Sequence, residues 1–177
     1  RLRNSLANGG SLARFASNEF AVLLEESVAG RGEKIAAQIL DVLGKPLFVD
    51  NQLISISGSV GIAYAPQHGQ DPQTLMKHAG LALHKAKANG KHQVQTFTEA
   101  MTAEASYKLF VESNLRRALV QDELAVHYQP KLCLRSGALL GLEALLRWQH
   151  PEKGMIRPDQ FISVARSEEH TSELQSL

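Results

Sequence analysis

The feature that most constrains the fold is a strand pattern followed by a helix pattern and a second strand pattern, all within residues 53–97. The first segment, "LISISGSVGIAYAP", alternates apolar and small residues as a strand with one buried face does, and Gly58 marks a bulge within it. Asp71 and Pro72 supply the N-cap and first turn of a helix that an Asn-Gly pair closes, and "HQVQTF" follows as a short strand. The residues expected to be buried are Ile54, Ile56, Val60, Ile62 and Tyr64 in the strand, and Leu75, Met76, Ala79, Leu83 and Ala86 in the helix.

The residues before this stretch add a hairpin and another helix. Residues 12–15 and 20–24 are typical of two short strands about a tight turn, and residues 29–43 place apolar side chains at helical spacing. The order strand, strand, helix, strand, helix, strand predicts an α/β (α+β) unit over residues 1–97.

The second half of the chain opens on a long helix pattern at residues 98–121, which at 1.5 Å per residue reaches roughly 35 Å and suits an interdomain connector. "ELAVHYQPKLCL" and "GALLGLEALLRW" then predict two strands about a polar turn, and "RPDQFISVA" begins a helix. The second of these strands is apolar on both faces, which predicts that it is covered on both sides. The pattern places a further domain at residues 122–165. The apolar positions of the long helix are Met101, Ala105, Leu109, Leu115 and Leu119.

Composition limits the class of protein. The chain has 177 residues, 44% of them hydrophobic, and a formal charge of +1, which supports a packed core and gives no reason to expect nucleic acid as a partner. Cys133 is the only cysteine, so no internal disulfide forms; its apolar neighbours predict a small core residue. No apolar run reaches the length of a bilayer span, so we expect these domains to be cytoplasmic. The opening Arg1 predicts a piece of a longer parent protein, whose upstream part is free to carry a membrane anchor.

The first hairpin resembles a known family. "ARFASNEFAVLL" is similar to the signature hairpin of GGDEF domains, the diguanylate cyclases that join two GTP molecules into cyclic di-GMP, and residues 55–97 resemble that family's second half. The resemblance implies a metal ligand at Glu19 and GTP phosphate contacts at Lys87 and Lys91. Lysines near a helix C-terminus also suit the helix dipole with no ligand bound, so both interpretations of the lysines stay open.

The hairpin departs from the family where the chemistry lies. Ala16 and Ser17 replace two glycines, which reach positive φ and let a nucleotide approach the backbone. Asn18 replaces an acid, and an amide is a poorer ligand for Mg²⁺. The family's inhibitory product site, Arg-x-x-Asp, aligns with Ala-Asn-Gly-Gly at residues 7–10. We expect a structural turn without cyclase activity, in a regulatory module that can retain GTP binding.

A second candidate site is Glu143, a carboxylate inside the apolar run "LLGLEALLRW". A buried carboxylate needs a compensating partner. Arg147 is four residues on, on the same face of a strand but roughly 13 Å away, too far for a direct ion pair. Another cation, bound or supplied by a structural ion pair, is therefore expected at Glu143.

The segment around Glu143 also resembles a family. "LAVHYQPKLCLRSGALLGLEALLRWQHPEKGMIRPDQFISVA" is similar to the opening of EAL domains, the cyclic di-GMP phosphodiesterases with a TIM-like barrel. The resemblance implies that Glu143 ligates catalytic Mg²⁺ or Mn²⁺, and that Arg147, Gln129 and Leu145 lie in the substrate site, Arg147 on a phosphate. It also implies that further metal ligands and a general-base lysine lie on later strands. Barrel enzymes carry such residues at the C-terminal ends of strands.

The remaining residues of this region are expected to be structural. We interpret His127 and His150 as structural or surface histidines and Trp148 as barrel packing. Residues 122–165 alone cannot close an eight-stranded barrel and are expected to be unstable in isolation. Residues 166–177 lack apolar periodicity, and residues 166–176 resemble the translation of a common sequencing adapter, so they are expected not to belong to the fold.

These observations predict a parent protein that hydrolyses cyclic di-GMP to pGpG, with an inactive GGDEF module as its regulator. A cyclic di-GMP receptor with two degenerate domains is the alternative. GTP as a regulatory ligand and a homodimer formed through the EAL domain are further expectations. The chain itself is expected to be inactive.

Overall fold

The structure is a computed structural model that describes residues 2–6, 10–24 and 30–165. The predictions made for residues 7–9 and 166–177 lie outside the described residues. Packing divides the chain into two units, one ending at Ala103 and the other beginning at Glu104. Each unit is described by itself.

In the described residues of the first unit, the short strands form three pairs, and helices lie between them along the chain. Strands β1 and β2 are antiparallel, as are β3 and β4, whereas β5 and β6 are parallel. The predicted hairpin, both predicted helices and the final strand are confirmed. The elements are α1 (Leu2–Ser5), β1 (Ser11–Arg14), β2 (Phe20–Leu23), α2 (Arg31–Gly44), β3 (Leu47–Val49), β4 (Gln52–Ile54), β5 (Val60–Ile62), α3 (Pro72–Ala88) and β6 (Val94–Thr96).

The strand predicted over residues 53–66 is wrong as a single element. It is split into β4 and β5, and Ile54 and Ile56 are 39% and 41% exposed rather than buried. The reason lies just upstream: Asp50 and Asn51 both adopt positive φ and form a two-residue turn that folds β4 back onto β3. The start of the predicted strand, at Leu53 and Ile54, therefore belongs to a separate hairpin.

Helix α3 packs directly on β5. A Cβ at Gly61 would overlap the backbone of Ala79 and Leu83, so only glycine permits this approach. Asp71 accepts a hydrogen bond from the Thr74 amide at 2.9 Å, which confirms the predicted N-cap. The fully buried residues of the helix are Ala82 and Ala86, whereas Met76, predicted to be buried, is 41% exposed.

Glu33 links helix α2 to strand β6 and to the loop that follows β5. The Tyr64 hydroxyl donates to its Oε2 at 2.6 Å, and the Thr96 hydroxyl donates to its Oε1 at 2.9 Å. The bond from Tyr64 is the main cause that lowers the pKa of Glu33. Burial, followed by the contact with Glu33, raises the pKa of Tyr64 to about 12. This carboxylate has a structural role.

The second unit is a three-stranded antiparallel sheet packed on two helices. Its elements are α4 (Glu99–Val120), which begins before the unit boundary, β7 (Leu124–Leu132), β8 (Leu139–His150), β9 (Gly154–Ile156) and α5 (Pro158–Ala165). The later part of α4 contributes to a core, beyond the connecting role that its length suggested. The core residues are Val111, Leu115, Ala118, Trp148, Ile156, Phe161 and Val164.

Two burial predictions in the second unit are wrong: that β8 is covered on both sides and that Cys133 lies in the core. Leu109 and Leu119, apolar positions of α4, are 66% and 40% exposed. Leu140 and Leu142 of β8 are 71% and 59% exposed, so the described residues do not cover this strand on both sides. Among the described residues, the core packs the sheet against the helices at the end near Trp148. Cys133 is partly exposed in the turn after β7 and is not a core residue; a hydrogen bond with Ser136 lowers the pKa of its thiol.

Candidate functional site

The first candidate site is the turn between β1 and β2. Its backbone closes through the amides of Phe15 and Ala16, which donate to the Glu19 carbonyl at 2.9 and 3.1 Å. The Arg14 guanidinium spans the turn and donates to the carbonyls of Ala16 at 3.3 Å and Ser17 at 2.7 Å. The carbonyls of the turn are therefore bonded within the hairpin itself.

The conformation of this turn does not require glycine. Ala16, Ser17 and Asn18 all keep φ outside the left-handed region. The side chains that replace the family's glycines are thus accommodated without backbone strain. All three are exposed.

Glu19, the retained acid, forms an ion pair rather than standing free. Its Oε1 accepts from Lys87 Nζ at 3.2 Å, with side-chain exposures of 39% and 45%. Lys87 lies in the last turn of α3. Lys91, at φ 61°, follows the same helix end and donates its amide to the Ala86 carbonyl at 3.2 Å. The structure brings Glu19 and Lys87 together.

The turn does not fit a divalent cation. A hard cation takes several charged or carbonyl oxygens, whereas Glu19 is the single carboxylate in the turn and is already paired with Lys87. The neighbouring acid is replaced by Asn18.

The second candidate site is one face of the β7–β8 ladder. Cross-strand partners share a face, as do residues two apart along a strand. The register pairs Gln129 with Glu143, His127 with Leu145 and Ala125 with Arg147. The four residues predicted for the EAL site therefore lie on one face: Gln129, Glu143, Leu145 and Arg147.

Glu143 forms an ion pair with a lysine that the sequence did not predict as its partner. Lys131 Nζ lies 3.1 Å from Glu143 Oε2, with side-chain exposures of 62% and 48%. The expectation that Glu143 is buried is wrong, and the compensating cation is this lysine. The Arg147 guanidinium donates to the Leu146 carbonyl at 3.0 Å and forms no pair with Glu143. Lys131 lies within "YQPKL", but only the register shows that it reaches Glu143.

The donor chemistry at Glu143 fits part of a divalent-cation site. Its carboxylate and the facing Gln129 amide offer the oxygen ligands that Mg²⁺ and Mn²⁺ prefer. No group of three or more His, Cys, Asp or Glu side chains comes together within the described ranges. The described residues thus supply some of the ligands of such an ion.

A buried polar network fixes the strand that carries Glu143. Glu123 accepts from Trp148 Nε1 at 3.0 Å and lies 3.4 Å from Arg117 Nε. His150 is 2% exposed, and its Nδ1 accepts from the amides of Glu152 and Lys153. The structural interpretation of His150 and Trp148 is confirmed. His127 is exposed on the same face as Glu143, so the two histidines are not brought together.

Comparison with known proteins identifies both units. The family model "Diguanylate cyclase, GGDEF domain" matches residues 1–93, just over half of the chain, and the model "EAL domain" matches residues 112–177. The chain belongs to the GGDEF–EAL tandem proteins of cyclic di-GMP signalling. The EAL match includes residues 166–177, and their assignment to an adapter stays a prediction.

Three curated relatives of this GGDEF–EAL chain have named activities. Cyclic di-GMP phosphodiesterase NbdA of Pseudomonas aeruginosa is 36% identical over 94% of this chain and 21% of its own length. Cyclic di-GMP phosphodiesterase PdeR of Escherichia coli is 42% identical over 87% of this chain and 23% of its own. The bifunctional diguanylate cyclase/cyclic di-GMP phosphodiesterase MucR of P. aeruginosa is 34% identical over 93% and 24%. The chain therefore spans about a fifth to a quarter of these relatives.

Solved structures support the α/β fold. The GGDEF domain of YfiN (TpbB) from P. aeruginosa is 26% identical with a TM-score of 0.56, and the match covers 59% of this chain and 62% of that one. A second structure of the same domain is 28% identical with a TM-score of 0.52 over 55% and 62%. No helix among the described residues is long and apolar enough to cross a membrane.

Proposed function

We propose that the parent protein hydrolyses cyclic di-GMP to pGpG through its EAL domain. The observation that carries this proposal is the shared face of β7 and β8, on which Gln129, Glu143, Leu145 and Arg147 lie together. The intact "EALLRW" sequence and the phosphodiesterase names of two relatives support it.

Each residue of this face has a role that its chemistry supports. Glu143 would hold the cation, Mg²⁺ or Mn²⁺, which when bound supplies a water activated for attack on the phosphodiester. Arg147 binds a phosphate through its planar, two-donor fork. Gln129, the cross-strand partner of Glu143, and Leu145, two residues further along β8, would line the substrate. The remaining acids and the general-base lysine belong to later strands of the parent.

We propose that the GGDEF domain is a regulatory module without cyclase activity. The absence of glycines and of the second acid in the turn, together with the Glu19–Lys87 pair, supports this. GTP as a regulatory ligand that engages Lys87 and Lys91, a homodimer formed through the EAL domain and a cytoplasmic location of both domains complete the proposal. Nucleic acid has no part in it.

The test uses the complete parent protein with cyclic di-GMP and either Mg²⁺ or Mn²⁺, and follows pGpG by ion-exchange chromatography. We expect pGpG to form, Arg147→Ala to lower kcat/KM by about 10- to 100-fold because a charged phosphate contact is lost, and GTP to yield no cyclic di-GMP. The 177-residue chain alone is expected to release no pGpG.

Binding of cyclic di-GMP without any pGpG would overturn the phosphodiesterase proposal and favour the receptor alternative. Formation of cyclic di-GMP from GTP would show that the GGDEF domain is an active cyclase.

A further inference from the structure

The carboxylate of Glu143 is already engaged by a lysine of the neighbouring strand. Lys131 is the cross-strand partner of Gly141, two positions before Glu143, so the two side chains are diagonal neighbours on one face. The Nζ of Lys131 lies 3.1 Å from Glu143 Oε2. Gly141 places no side chain between them, and the space above it is open.

We propose that Lys131 tunes the metal affinity of this face, because its ammonium and a divalent cation compete for the Glu143 carboxylate. The proposal rests on the proposed role of Glu143 as a metal ligand. It adds a residue that the sequence interpretation did not place in the site.

Competition follows from charge and geometry. An ammonium within 4 Å of a carboxylate oxygen occupies the volume that a cation bound to the same oxygen needs, and two positive charges at that separation repel. Cation binding to Oε2 therefore requires the Lys131 side chain to turn away. Both side chains are about half exposed, so solvent makes this displacement easy and the lysine weakens cation binding modestly rather than preventing it.

The sheet does not need this ion pair for its register. The β7–β8 ladder is held by nine cross-strand residue pairs and by the core around Trp148, whereas Lys131 is 62% exposed. Removing the lysine is therefore expected to leave the strands intact, which makes the metal affinity a clean readout.

The experiment titrates the complete parent protein with Mn²⁺, because the remaining cation ligands belong to its later strands, and follows paramagnetic broadening of the Leu145 methyl signals by NMR. We expect Lys131→Met to tighten the apparent Mn²⁺ dissociation constant by about two- to fivefold, the size of an exposed ion pair. Lys131→Arg, which keeps the charge, should remain near wild type. Glu143→Gln should remove the broadening in every background.

Lys108→Met is the matched control, because Lys108 forms an exposed ion pair with Glu112 on α4 at 3.7 Å and its loss changes the net charge equally. It should leave the Mn²⁺ affinity unchanged. If Lys131→Met behaves like Lys108→Met while Glu143→Gln still abolishes broadening, the role of Lys131 is overturned and that of Glu143 stands. Broadening that persists in Glu143→Gln overturns both.

Discussion

Two glutamates of this chain occupy signature positions of their families, and both are paired with lysine in much the same way. Glu19 meets Lys87 at 3.2 Å and Glu143 meets Lys131 at 3.1 Å, with glutamate exposures of 39% and 48%. Distance, partner and exposure therefore do not distinguish the turn that departs from its family's signature sequence from the strand that keeps its own.

The surroundings of the two carboxylates do differ. Around Glu19 the turn carries Ala16, Ser17 and Asn18 in place of two glycines and an acid, and its carbonyls are bonded to Arg14. Around Glu143 the sheet presents the amide, the guanidinium and the apolar residue that the EAL signature supplies. The set of neighbours on one face, rather than the acid alone, carries the functional inference.

The largest effect is expected from Trp148→Ala, which tests whether the two carboxylates depend on separately packed units. Trp148 is fully buried, and its truncation should cost the second unit about 3–5 kcal/mol of unfolding free energy. Hydrogen exchange should show lost protection in β8 but not in β2. Leu140→Ala, on the same strand but 71% exposed, should cost less than about 1 kcal/mol. Equal loss of protection in both strands would contradict the separation.

Glu33 shows how a carboxylate with a structural role behaves. Its folded pKa lies below 4.5 because Tyr64 donates to it, so its contribution to stability is present above pH 4.5 and is lost as the pH falls through the folded value. The pKa of Tyr64 is raised from 10.0 to about 12, so its contribution to stability is present below pH 10 and is lost as the pH rises through about 12. Glu33→Gln should cost about 1–2 kcal/mol at pH 7 and flatten the acid limb of a stability profile measured by circular dichroism.

Asp41→Asn is the control for Glu33→Gln, because Asp41 forms an exposed ion pair with Lys45 at 3.0 Å. It should change stability by less than about 0.5 kcal/mol. A Glu33→Gln variant with an unchanged acid limb would show that this carboxylate does not hold the unit together.

A smaller effect is expected when glycine replaces Ala16 or Ser17 in the turn between β1 and β2. Because Ala16 and Ser17 have negative φ, Ala16→Gly and Ser17→Gly should each cost about 0.4–1 kcal/mol, through greater freedom of the unfolded chain. Gly30→Ala, at φ 81°, should also destabilise, but through strain in the folded state. Thermal unfolding measures all three. A gain in stability for either glycine variant would mean that the turn still favours the conformation of an active site.

Local signals predicted much of the fold. The Asp71 cap and the Asn-Gly end bound α3 correctly, and strand parity placed Glu143 and Arg147 on one face. The split of residues 53–66 was missed although its signal was present, since Asp50 and Asn51 are turn residues that reach positive φ.

The other wrong or missing predictions concern contacts between elements, which the alternation of apolar and polar residues within one strand does not predict. Whether Leu140 and Leu142 are covered depends on what packs against the sheet, not on their own pattern. The Lys131–Glu143 pair depends on the register between β7 and β8, and the spacing of Glu143 and Arg147 within one strand does not predict that register. The functional roles of the site residues stay predictions.

Glu143→Gln and Glu19→Gln in the complete parent protein, each assayed for pGpG formation from cyclic di-GMP in Mn²⁺, separate the two carboxylates most directly. Glu143→Gln should lower kcat by at least about 100-fold, because loss of the proposed metal ligand would remove several kcal/mol of transition-state stabilisation. Glu19→Gln should stay within about twofold of wild type, because an exposed ion pair contributes little. Wild-type turnover by Glu143→Gln, or loss of turnover in Glu19→Gln alone, would show that the catalytic carboxylate is not Glu143.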